Sequence, residues 1–233
     1  MKTEKPKVAV ELNGKPMIAH VIENLLGAEI RDIVVIVGYK KDEVISLCKN
    51  YQGIRFAEQT EQLGTAHALM CTNEILKEYS GTLLVTAGDA PLITSKTFAK
   101  MNNYHNDNKL ECTVLSAAME NPFGYGRIIR NQEGLVFGIV EEKDASDEQK
   151  KITEINTGTY CFNSPSVFSY LKKIGNENAQ KEYYLPDLIH IFKKENLPVG
   201  AIKLDNPDES HGINSQTDLE KVSLLLKNGK IPA

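Results

Sequence analysis

The chain has 233 residues, which is enough for one large α/β domain with a sizeable core. Its net charge is −4 and its Lys and Arg residues are spread along the sequence, so a nucleic-acid partner is not expected. The sequence contains no apolar run of membrane-spanning length, and no hydrophobic segment follows the charged N-terminus. We therefore expect a cytoplasmic protein that has no membrane partner.

The first half of the sequence alternates between strand and helix patterns. A continuous β-branched run at 33–37 is typical of a strand that is buried on both faces of a parallel sheet. The remaining predicted strands are 54–57, 82–86 and 112–117, and the predicted helices are 41–49, 65–78 and 95–106. This alternation predicts an α/β fold of the Rossmann-like, doubly wound type with a mostly parallel sheet.

The second half of the sequence has a different pattern. A turn-rich segment at 121–127 precedes a predicted hairpin, formed by 128–129 and 136–140 with its tip at 131–134. A charged segment follows at 144–151; then come predicted strands at 155–162 and 199–203 and predicted helices at 164–174, 184–195 and 219–226. We interpret this half as an insert on the same sheet.

The four cysteines, Cys48, Cys71, Cys112 and Cys161, are far apart in apolar runs and form no C-x-x-C motif. This pattern predicts buried free thiols in a reducing compartment and disfavours a disulfide or a metal site.

A polar loop joins the predicted strand 54–57 to the predicted helix 65–78. The amide of Gln59 can both donate and accept, which suits the edge of a base, and Gly64 and Thr65 lie where the backbone N–H groups of a helix start can meet an acceptor. An N-capped loop with no ligand is the alternative. This loop and the segments 88–89 and 124–127 are all expected beyond the carboxyl ends of parallel strands, where ligands bind.

Two oxygen-bearing residues are candidate metal ligands. Asp89 follows a predicted buried strand and a glycine, and a carboxylate in this place can hold a hard cation such as Mg²⁺. Asn214 is a candidate second ligand. The alternatives are a turn residue for Asp89 and the N-cap of the last helix for Asn214.

Other polar residues suit a phosphorylated sugar. Lys7 follows a proline and precedes a short apolar run predicted as a strand, from which its ammonium can reach a phosphate, although an exposed lysine is the commoner case. Gly126 lies in a glycine-rich turn that permits close approach of a ligand, or serves only as a hairpin turn. Glu141, Asn156 and Thr157 carry groups that pair with hydroxyls and amides. The five histidines have no triad or metal spacing, so none is assigned a catalytic role.

Eight motifs occur in order along the sequence: PKV at 6–8, GKPM at 14–17, EQLGT at 61–65, GDAPL at 88–92, GYGRI at 124–128, VEEKDA at 140–145, EINTG at 154–158 and NAQKEYY at 178–184. In these motifs the chain resembles the uridylyltransferase domain of the bacterial bifunctional UDP-N-acetylglucosamine pyrophosphorylase/glucosamine-1-phosphate acetyltransferase, over essentially its whole length. Single motifs are shared with many sugar nucleotidyltransferases, whereas the whole series is specific. Small departures are Lys181, where the family usually has Gly, and Pro186, where it usually has Thr.

The resemblance implies a cytoplasmic enzyme that forms UDP-N-acetylglucosamine and pyrophosphate from UTP and N-acetylglucosamine-1-phosphate, for cell-wall precursor synthesis. It implies one nucleotidyltransferase domain over 1–233, with a nucleotide-binding half at 1–118 and a β-rich, sugar-binding half at 119–233. The implied residue roles are these: Gln59 and Gly64 hold the uracil, with Thr65 beside them; Asp89 and Asn214 hold Mg²⁺; Lys7 contacts phosphate; and Gly126, Glu141, Asn156 and Thr157 hold the N-acetylglucosamine moiety.

Two departures concern the ends of the sequence. The family begins with a strand and a glycine-rich phosphate loop ahead of the segment matched by Met1, and its members continue into a hexapeptide-repeat β-helix. We therefore expect this chain to be a monomer without acetyltransferase activity, and to be nearly inactive unless the loop is restored. The alternative is a degenerate nucleotide-sugar-binding module without catalysis. A related enzyme for another sugar or base is disfavoured by the sugar-side motifs.

Overall fold

Helices and strands alternate along the chain in the computed structural model, which describes residues 5–213, 215–229 and 231. The strands are β1 (Glu11–Leu12), β2 (Lys15–Pro16), β3 (Ile33–Val37), β4 (Ile54–Glu58), β5 (Gly81–Val85), β6 (Cys112–Ala118), β7 (Arg127–Arg130), β8 (Val136–Val140), β9 (Glu154–Ser164) and β10 (Val199–Lys203). The α-helices are α1 (Met17–Gly27), α2 (Lys41–Cys48), α3 (Thr65–Met70), α4 (Asn73–Leu76), α5 (Ser95–Asp107), α6 (Asp147–Lys150), α7 (Ser166–Leu171), α8 (Asp187–Lys194) and α9 (Gln216–Lys227). Short 3-10 helices span Lys7–Ala9 and Pro207–Ser210. Within the described ranges, no helix has the length and apolar character that crossing a membrane requires.

The chain divides into two compact units, each assembled from separate stretches of sequence. The first unit contains Met1–Thr60, Ala87–Lys100 and Asn206–Ala233, and the second contains Glu61–Thr86 and Met101–Asp205. This division does not follow the predicted boundary at residue 118. The functional roles assigned to the two predicted halves stay predictions.

The first unit contains a parallel pair of strands. β3 and β4 run parallel in register from Ile33 opposite Ile54 to Val37 opposite Glu58. Ile33, Val35 and Val37 are buried, while the alternate residues of β3 are only half-buried. One face of this strand therefore packs in the core, and the prediction of burial on both faces is wrong for the other face. Because the β-branched run is uninterrupted, the sequence gives no signal that distinguishes the two faces.

A hydrophobic cluster brings the distant segments of the first unit together. Its buried members are Leu12, Met17, Leu92, Ile213, Val222, Leu225 and Ile231. The amphipathic helix α9 contributes two of them, and a capping box fixes its start: the Ser215 hydroxyl accepts from the Asp218 N–H at 3.1 Å, and the Asp218 carboxylate accepts from the Ser215 N–H at 2.8 Å. The N-cap is therefore Ser215, and the alternative that Asn214 caps this helix is wrong. Asn214 itself lies outside the described residues.

The start of the first unit differs from the predicted strand after Lys7. Lys7–Ala9 forms a 3-10 helix that begins after Pro6, and the Ala9 N–H donates to the Pro6 carbonyl at 2.9 Å. Proline fixes its own φ near the helical value, so a tight turn can begin directly after it.

The second unit is built on a six-stranded mixed sheet. Its order is β10-β6-β9-β7-β8, with β5 also paired to β9. The β10–β6 pair is parallel, whereas β9 runs antiparallel to β5, β6 and β7, and β7 and β8 form the predicted antiparallel hairpin. The α/β class and the hairpin are confirmed. The antiparallel direction of β9 was not predicted, because an apolar run indicates a strand and not its direction.

Several predicted helices have different bounds in the structure. The single helix predicted over 65–78 is two helices, α3 and α4, separated where the Thr72 hydroxyl donates to the Leu69 carbonyl at 2.7 Å. The helix predicted from residue 164 begins at Ser166, because β9 continues through Ser164. The helix predicted from residue 184 begins at Asp187, directly after Pro186 at its N-cap position. Proline lacks the N–H that a helix interior needs, and it is therefore suited to a helix start.

The four cysteines are free thiols. Cys48, Cys112 and Cys161 are buried and Cys71 is half-buried, and burial raises the pKa of the Cys161 thiol to about 12. The prediction of buried free thiols is confirmed for three of the four residues.

Candidate functional site

Lys7 and Asp89 form an ion pair in the first unit. The Lys7 ammonium donates to Oδ2 of Asp89, and the two side chains are 36% and 30% exposed. The two residues are 82 positions apart in the sequence. A phosphate-binding cation and a metal-binding carboxylate, both candidates from the sequence, therefore occupy one partly solvated place.

The loop that carries Asp89 is packed closely against the start of the chain. A Cβ atom added to Gly88 would lie 3.1 Å from Cγ1 of Val8 and 3.2 Å from Cδ1 of Ile18. On the other side of Asp89, the Asn24 amide donates to the Pro91 carbonyl at 3.3 Å. These contacts pack the backbone on both sides of Asp89 against other residues of the first unit.

The strand before Asp89 is different from the predicted one. β5 pairs with β9 in the antiparallel direction and is half-buried along most of its length. The glycine-rich segment 124–127 lies between β6, which is buried and pairs in parallel with β10, and β7. The prediction of a buried parallel strand is therefore wrong for β5, which precedes Asp89. The predicted parallel pairing is confirmed for β6 and for β4, which pairs with β3.

The residues around Asp89 suit a magnesium ion that is shared with a substrate. Mg²⁺ keeps several waters and is commonly held by one or two carboxylates together with substrate phosphates. Asp89 supplies one partly exposed carboxylate of this kind. Among the residues the structure describes, no group of three or more His, Cys, Asp or Glu side chains could hold a metal by itself. This donor set fits a metal that binds together with phosphate, and it does not fit a cation cage made of protein alone.

Gln59 lies at the end of β4 in the first unit. Its backbone N–H donates to the Val37 carbonyl at 2.8 Å, so the residue extends the parallel pairing of β3 and β4 by one step. Its side chain is half-buried. The predicted placement directly beyond the carboxyl end of a parallel strand is thus confirmed, while its contact with a base stays a prediction.

Gly64 and Thr65, in the second unit, are tied to the segment around Tyr183. The Tyr183 N–H donates to the Leu63 carbonyl at 2.8 Å, and the Ala66 N–H donates to the Tyr183 carbonyl at 2.9 Å. Gly64 has φ +112°, and a Cβ atom there would lie 2.6 Å from the Tyr183 carbonyl oxygen. Only glycine can occupy this position, because it alone combines this backbone conformation with such a close approach.

The helix start at Thr65 offers less to a ligand than the sequence indicates. The Thr65 hydroxyl accepts from the Leu185 N–H at 3.0 Å, and the Ala66 N–H is already used by Tyr183. α3 itself is only six residues long. The predicted role of a helix N-terminus is therefore weakened, and the loop is better described as a strand-like contact with the 183–185 segment.

Gly126 and Glu141 approach each other closely at the start of the β7–β8 hairpin. A Cβ atom at Gly126 would lie 2.9 Å from Oε1 of Glu141 and 3.2 Å from Cγ2 of Ile139. The Gly126 carbonyl accepts from the Asn156 N–H at 2.8 Å. Three candidates that the sequence spreads over 31 positions, Gly126, Glu141 and Asn156, thus lie side by side.

Glu141 lies in an environment that opposes its ionisation. Burial is the largest cause that raises the pKa of its carboxyl, and the negative charges of Asp144 and Asp187 add to it, while Arg127 acts in the opposite direction. Burial and Asp144 also raise the pKa of Asp187. A half-buried carboxyl of this kind gains from a neutral hydrogen-bond donor such as a hydroxyl or an amide.

The side-chain amide of Asn156 is fixed at both ends. Its Nδ2 donates to the Tyr160 hydroxyl at 2.7 Å, and its Oδ1 accepts from the Gly158 N–H at 3.1 Å. Asn156 is 8% exposed and Tyr160 is 2% exposed. The protein therefore sets the orientation of the Asn156 amide before any ligand binds. The second hydrogen of Nδ2 and the second lone pair of Oδ1 point in fixed directions.

Thr157 lies in a bulge of β9. Val114 pairs with Tyr160 and Ser116 with Asn156, so a single residue of β6 faces three residues of β9. The Thr157 hydroxyl donates to the carbonyl of that single residue, Leu115, at 2.8 Å. Bulges re-aim side chains and are common beside active sites. The hydroxyl proton of Thr157 is already used, so this group can only accept from a ligand.

Two residues near these candidates were not assigned roles from the sequence. Arg127 is almost completely buried; its guanidinium forms an ion pair with Glu142 at 2.6 Å and donates to the carbonyl of Tyr125. Tyr160 orients Asn156 from the same strand. The GYGR motif contains Arg127, but nothing in the sequence indicates that its charge points inward. Tyr160 lies four positions after Asn156, a spacing that becomes a contact only because of the bulge.

Comparisons with known proteins identify the family and the fold of the chain. The family model for nucleotidyl transferases matches residues 1–206. A crystal structure described as a glucose-1-phosphate thymidylyltransferase from Bacillus anthracis in complex with a sucrose superposes with a TM-score of 0.74, covering 95% of this chain and 87% of that one. Its sequence identity is 21%, so this similarity supports the nucleotide-diphospho-sugar transferase fold alone.

Curated relatives are more similar in sequence. The chain is 46% identical over 227 residues to the bifunctional protein GlmU of Lactococcus lactis subsp. lactis (strain IL1403), and 43% identical to that of Clostridium novyi (strain NT). Each alignment covers 97% of this chain and 49% of the relative, so the chain spans about half the length of the curated relatives it matches. With the family model matching most of its length, the chain belongs to the nucleotidyl transferase family.

Proposed function

We propose that this chain is a uridylyltransferase that forms UDP-N-acetylglucosamine and pyrophosphate from UTP and N-acetylglucosamine-1-phosphate in the presence of Mg²⁺. The observation that carries the proposal is the contact of Gly126, Glu141 and Asn156, since these are the residues to which the family resemblance gives the N-acetylglucosamine moiety. The 41% to 47% identity to GlmU proteins of several bacteria supports the same assignment. We further propose a monomeric, cytoplasmic protein with no nucleic-acid or membrane partner.

The reaction transfers a uridylyl group between two phosphates. A phosphate oxygen of the sugar-1-phosphate attacks the α-phosphorus of UTP, the bond between that phosphorus and the bridging oxygen to the β-phosphate breaks, and pyrophosphate leaves. Such chemistry requires alignment of the two reactants and neutralisation of their negative charge, with little covalent help from the protein.

The proposed roles follow from the side chains. Asp89, together with Asn214, would hold Mg²⁺, which supplies charge neutralisation at the phosphates when it is bound. Lys7 supplies an ammonium beside the same carboxylate. The Lys7 ammonium would also be able to donate to a phosphate oxygen of a substrate bound there. Gln59, Gly64 and Thr65 would hold the uracil.

The sugar side has the chemistry that an N-acetylhexosamine needs. The acetamido group carries one N–H donor and one carbonyl acceptor, and the ring carries hydroxyls. Glu141 supplies an acceptor, Asn156 an amide of fixed orientation, and Thr157 a hydroxyl oxygen that can accept. Gly126 leaves room beside the Glu141 carboxyl, because any side chain at this position would meet Oε1.

The experiment is a substrate panel with coupled detection of pyrophosphate. The chain is purified with the glycine-rich loop of its family restored ahead of Met1. It is combined with Mg²⁺, with UTP, CTP or dTTP, and with N-acetylglucosamine-1-phosphate or glucose-1-phosphate. We expect the highest kcat/KM for UTP with N-acetylglucosamine-1-phosphate. Equal or faster turnover with another nucleotide or another sugar phosphate would contradict the substrate assignment.

Calorimetry separates the sugar residues from the nucleotide residues. Glu141→Ala and Asn156→Ala are expected to weaken the binding of the sugar phosphate by about 1–3 kcal/mol, the cost of leaving a buried partner unsatisfied, and to leave UTP binding nearly unchanged. Equal losses for both ligands would contradict the proposed division. Glu148→Ala, an exposed residue of α6, serves as the control for loss of a carboxylate.

A further inference from the structure

A buried carboxylate in the first unit has no role so far. Glu209 lies in the 3-10 helix Pro207–Ser210 and is only 8% exposed. Its Oε2 accepts from the Thr94 N–H at 2.9 Å and from the Thr97 hydroxyl at 2.7 Å, and the Thr94 hydroxyl lies 3.1 Å away. A buried charge is costly unless donors compensate for it, and here three donors converge on a single oxygen.

The position of these partners along the chain gives the contact its meaning. Thr94 lies five positions after Asp89, and Glu209 lies five positions before Asn214. The hydrogen bonds therefore join the segment after Asp89 to the segment before Asn214, and these two residues are the candidate metal ligands.

A second, independent contact joins the same two segments. Leu92 and Ile213 are both completely buried in the hydrophobic cluster of the first unit. Leu92 follows Asp89 by three positions, and Ile213 directly precedes Asn214. Polar and apolar contacts thus connect the two chain segments at two places.

The segment that carries Glu209 is held by hydrogen bonds of its own. The Asn206 side chain accepts from the Asp208 N–H at 3.1 Å, the Glu209 N–H donates to the Asn206 carbonyl at 3.2 Å, and the Ser210 hydroxyl donates to the Pro207 carbonyl at 2.7 Å. Proline at the first helical position restricts the backbone further. The Glu209 carboxylate is therefore in a position to restrain Thr94 and Thr97, to which it is bonded.

We infer that Glu209 is a positioning residue for the metal-binding residues: its bonds to Thr94 and Thr97 fix the Asp89 loop relative to the 209–213 segment. The presence of a metal at Asp89 rests on the proposed function. The positioning role of Glu209 rests on its hydrogen bonds alone. Glu209 does not itself touch the substrate or the metal in this account. Its loss should loosen the Asp89 loop and weaken metal binding more than it weakens the binding of the sugar phosphate.

The first arm of the test measures, without any ligand, whether the hydrogen bonds of Glu209 to Thr94 and Thr97 hold the two segments together. Hydrogen–deuterium exchange is compared among the unmodified chain, Glu209→Ala, Glu209→Gln and the control Glu220→Ala, which removes an exposed carboxylate from α9. We expect faster exchange at 88–94 and 209–213 in Glu209→Ala. Glu209→Gln, whose amide oxygen can accept the same hydrogen bonds, should restore most of the protection. Unchanged exchange at these residues in Glu209→Ala would overturn the inference, whatever reaction the protein catalyses.

The second arm measures metal affinity. Binding of Mn²⁺ in the presence of UTP is followed by electron paramagnetic resonance, well below the unfolding temperature of each variant. We expect Glu209→Ala to weaken Mn²⁺ binding by about 10- to 100-fold, as is usual when a group that orients a metal ligand is lost, with the affinity for the sugar phosphate almost unchanged. Equal weakening of both ligands, or unchanged Mn²⁺ affinity, would overturn the inference. If the unmodified chain showed no UTP-dependent Mn²⁺ binding, the metal part of the proposed function would fail. The hydrogen–deuterium exchange measurement would still decide whether Glu209 positions the Asp89 loop.

Discussion

The Tyr160 hydroxyl lies 2.7 Å from Nδ2 of Asn156 and fixes the orientation of that amide in a buried place. The two residues lie four positions apart on one strand, and their contact depends on the bulge between them. An amide whose orientation is fixed before binding loses less conformational entropy when a ligand arrives.

Tyr160→Phe should therefore weaken the binding of the sugar phosphate. The change leaves the Asn156 amide without its buried partner, at a cost of about 1–3 kcal/mol shared between folding and binding. We expect KM for the sugar phosphate to rise and KM for UTP to stay nearly constant, as measured by pyrophosphate release. Tyr39→Phe removes an exposed hydroxyl and should change neither value. A rise in both constants would argue against an orienting role.

Asp89→Asn should remove most of the activity and leave the fold intact. The loss of one charge at the metal should cost roughly 3 kcal/mol or more of transition-state stabilisation, on the scale of single electrostatic groups. Stability should change little, because the Lys7–Asp89 pair is about one-third exposed and such pairs contribute roughly 0–1 kcal/mol. Turnover is measured against Mg²⁺ concentration, and circular dichroism checks the fold. Near-normal turnover at limiting Mg²⁺ would show that Asp89 is a turn residue only.

The sequence could predict which residues carry the chemistry, but not how they are arranged. The polar residues 7 and 89 stand out by their neighbours, Pro6 and Gly88. Their ion pair could not be predicted, because it joins segments 82 positions apart. The alternation of strands and helices likewise indicates the α/β class, whereas the antiparallel direction of β9 depends on pairings that are not local in sequence.

The sequence predicts the position of Gly64 but not the contact that requires a glycine there. Gly64 was expected at a helix start, and it is there, but the structure gives it a tighter constraint from the backbone of Tyr183. The role of Glu209 could not be predicted from the sequence, since an acidic residue two positions after a proline is typical of an exposed turn. Only folding brings Thr94 and Thr97 to it.

The pKa shift of Glu141 predicts a pH-dependent stability. Burial, with Asp144 and Asp187, raises the pKa of this carboxyl above its ordinary value of 4.5, so the folded state binds the proton more tightly than the unfolded state. The favourable contribution of the Glu141 carboxyl to the free energy of unfolding is therefore fully present below pH 4.5. It is lost as the pH rises through the raised pKa of this carboxyl in the folded state. Glu141→Gln should therefore raise the melting temperature at pH 7 to 8 (about neutral, where carboxyls are normally ionised), and the advantage should shrink in acid.

Thermal melts of Glu141→Gln across this pH range provide the measurement. Glu148→Gln, on the exposed face of α6, is the matched control for the loss of a carboxyl group. The same Glu141→Gln variant should lose affinity for the sugar phosphate, so stability and binding would change in opposite directions. A melting temperature that falls at neutral pH would contradict the described environment of Glu141.

Lys181→Gly should stabilise the chain. Lys181 has φ +55°, a left-handed conformation that glycine adopts without strain, and the family usually has Gly at this position. The gain should be about 0.5–1 kcal/mol, because relief of backbone strain is partly offset by the greater freedom of glycine in the unfolded chain. Urea unfolding measures it. Lys181→Ala removes the side chain but keeps the Cβ atom, and an equal gain for this variant would mean that the backbone conformation is not the cause.

The central claim is the formation of a nucleotide sugar, and phosphorus NMR of one reaction tests it most directly. The chain, with the glycine-rich loop restored ahead of Met1, is incubated with UTP, N-acetylglucosamine-1-phosphate and Mg²⁺, with the Asp89→Asn variant of the same form in parallel. We predict that the two diphosphate signals of UDP-N-acetylglucosamine and the signal of pyrophosphate grow together as UTP and the sugar phosphate disappear. In the Asp89→Asn reaction, we expect UTP and the sugar phosphate to remain largely unconsumed. Persistence of UTP in the unmodified reaction, or its conversion to UDP and inorganic phosphate with the sugar phosphate untouched, would contradict the account.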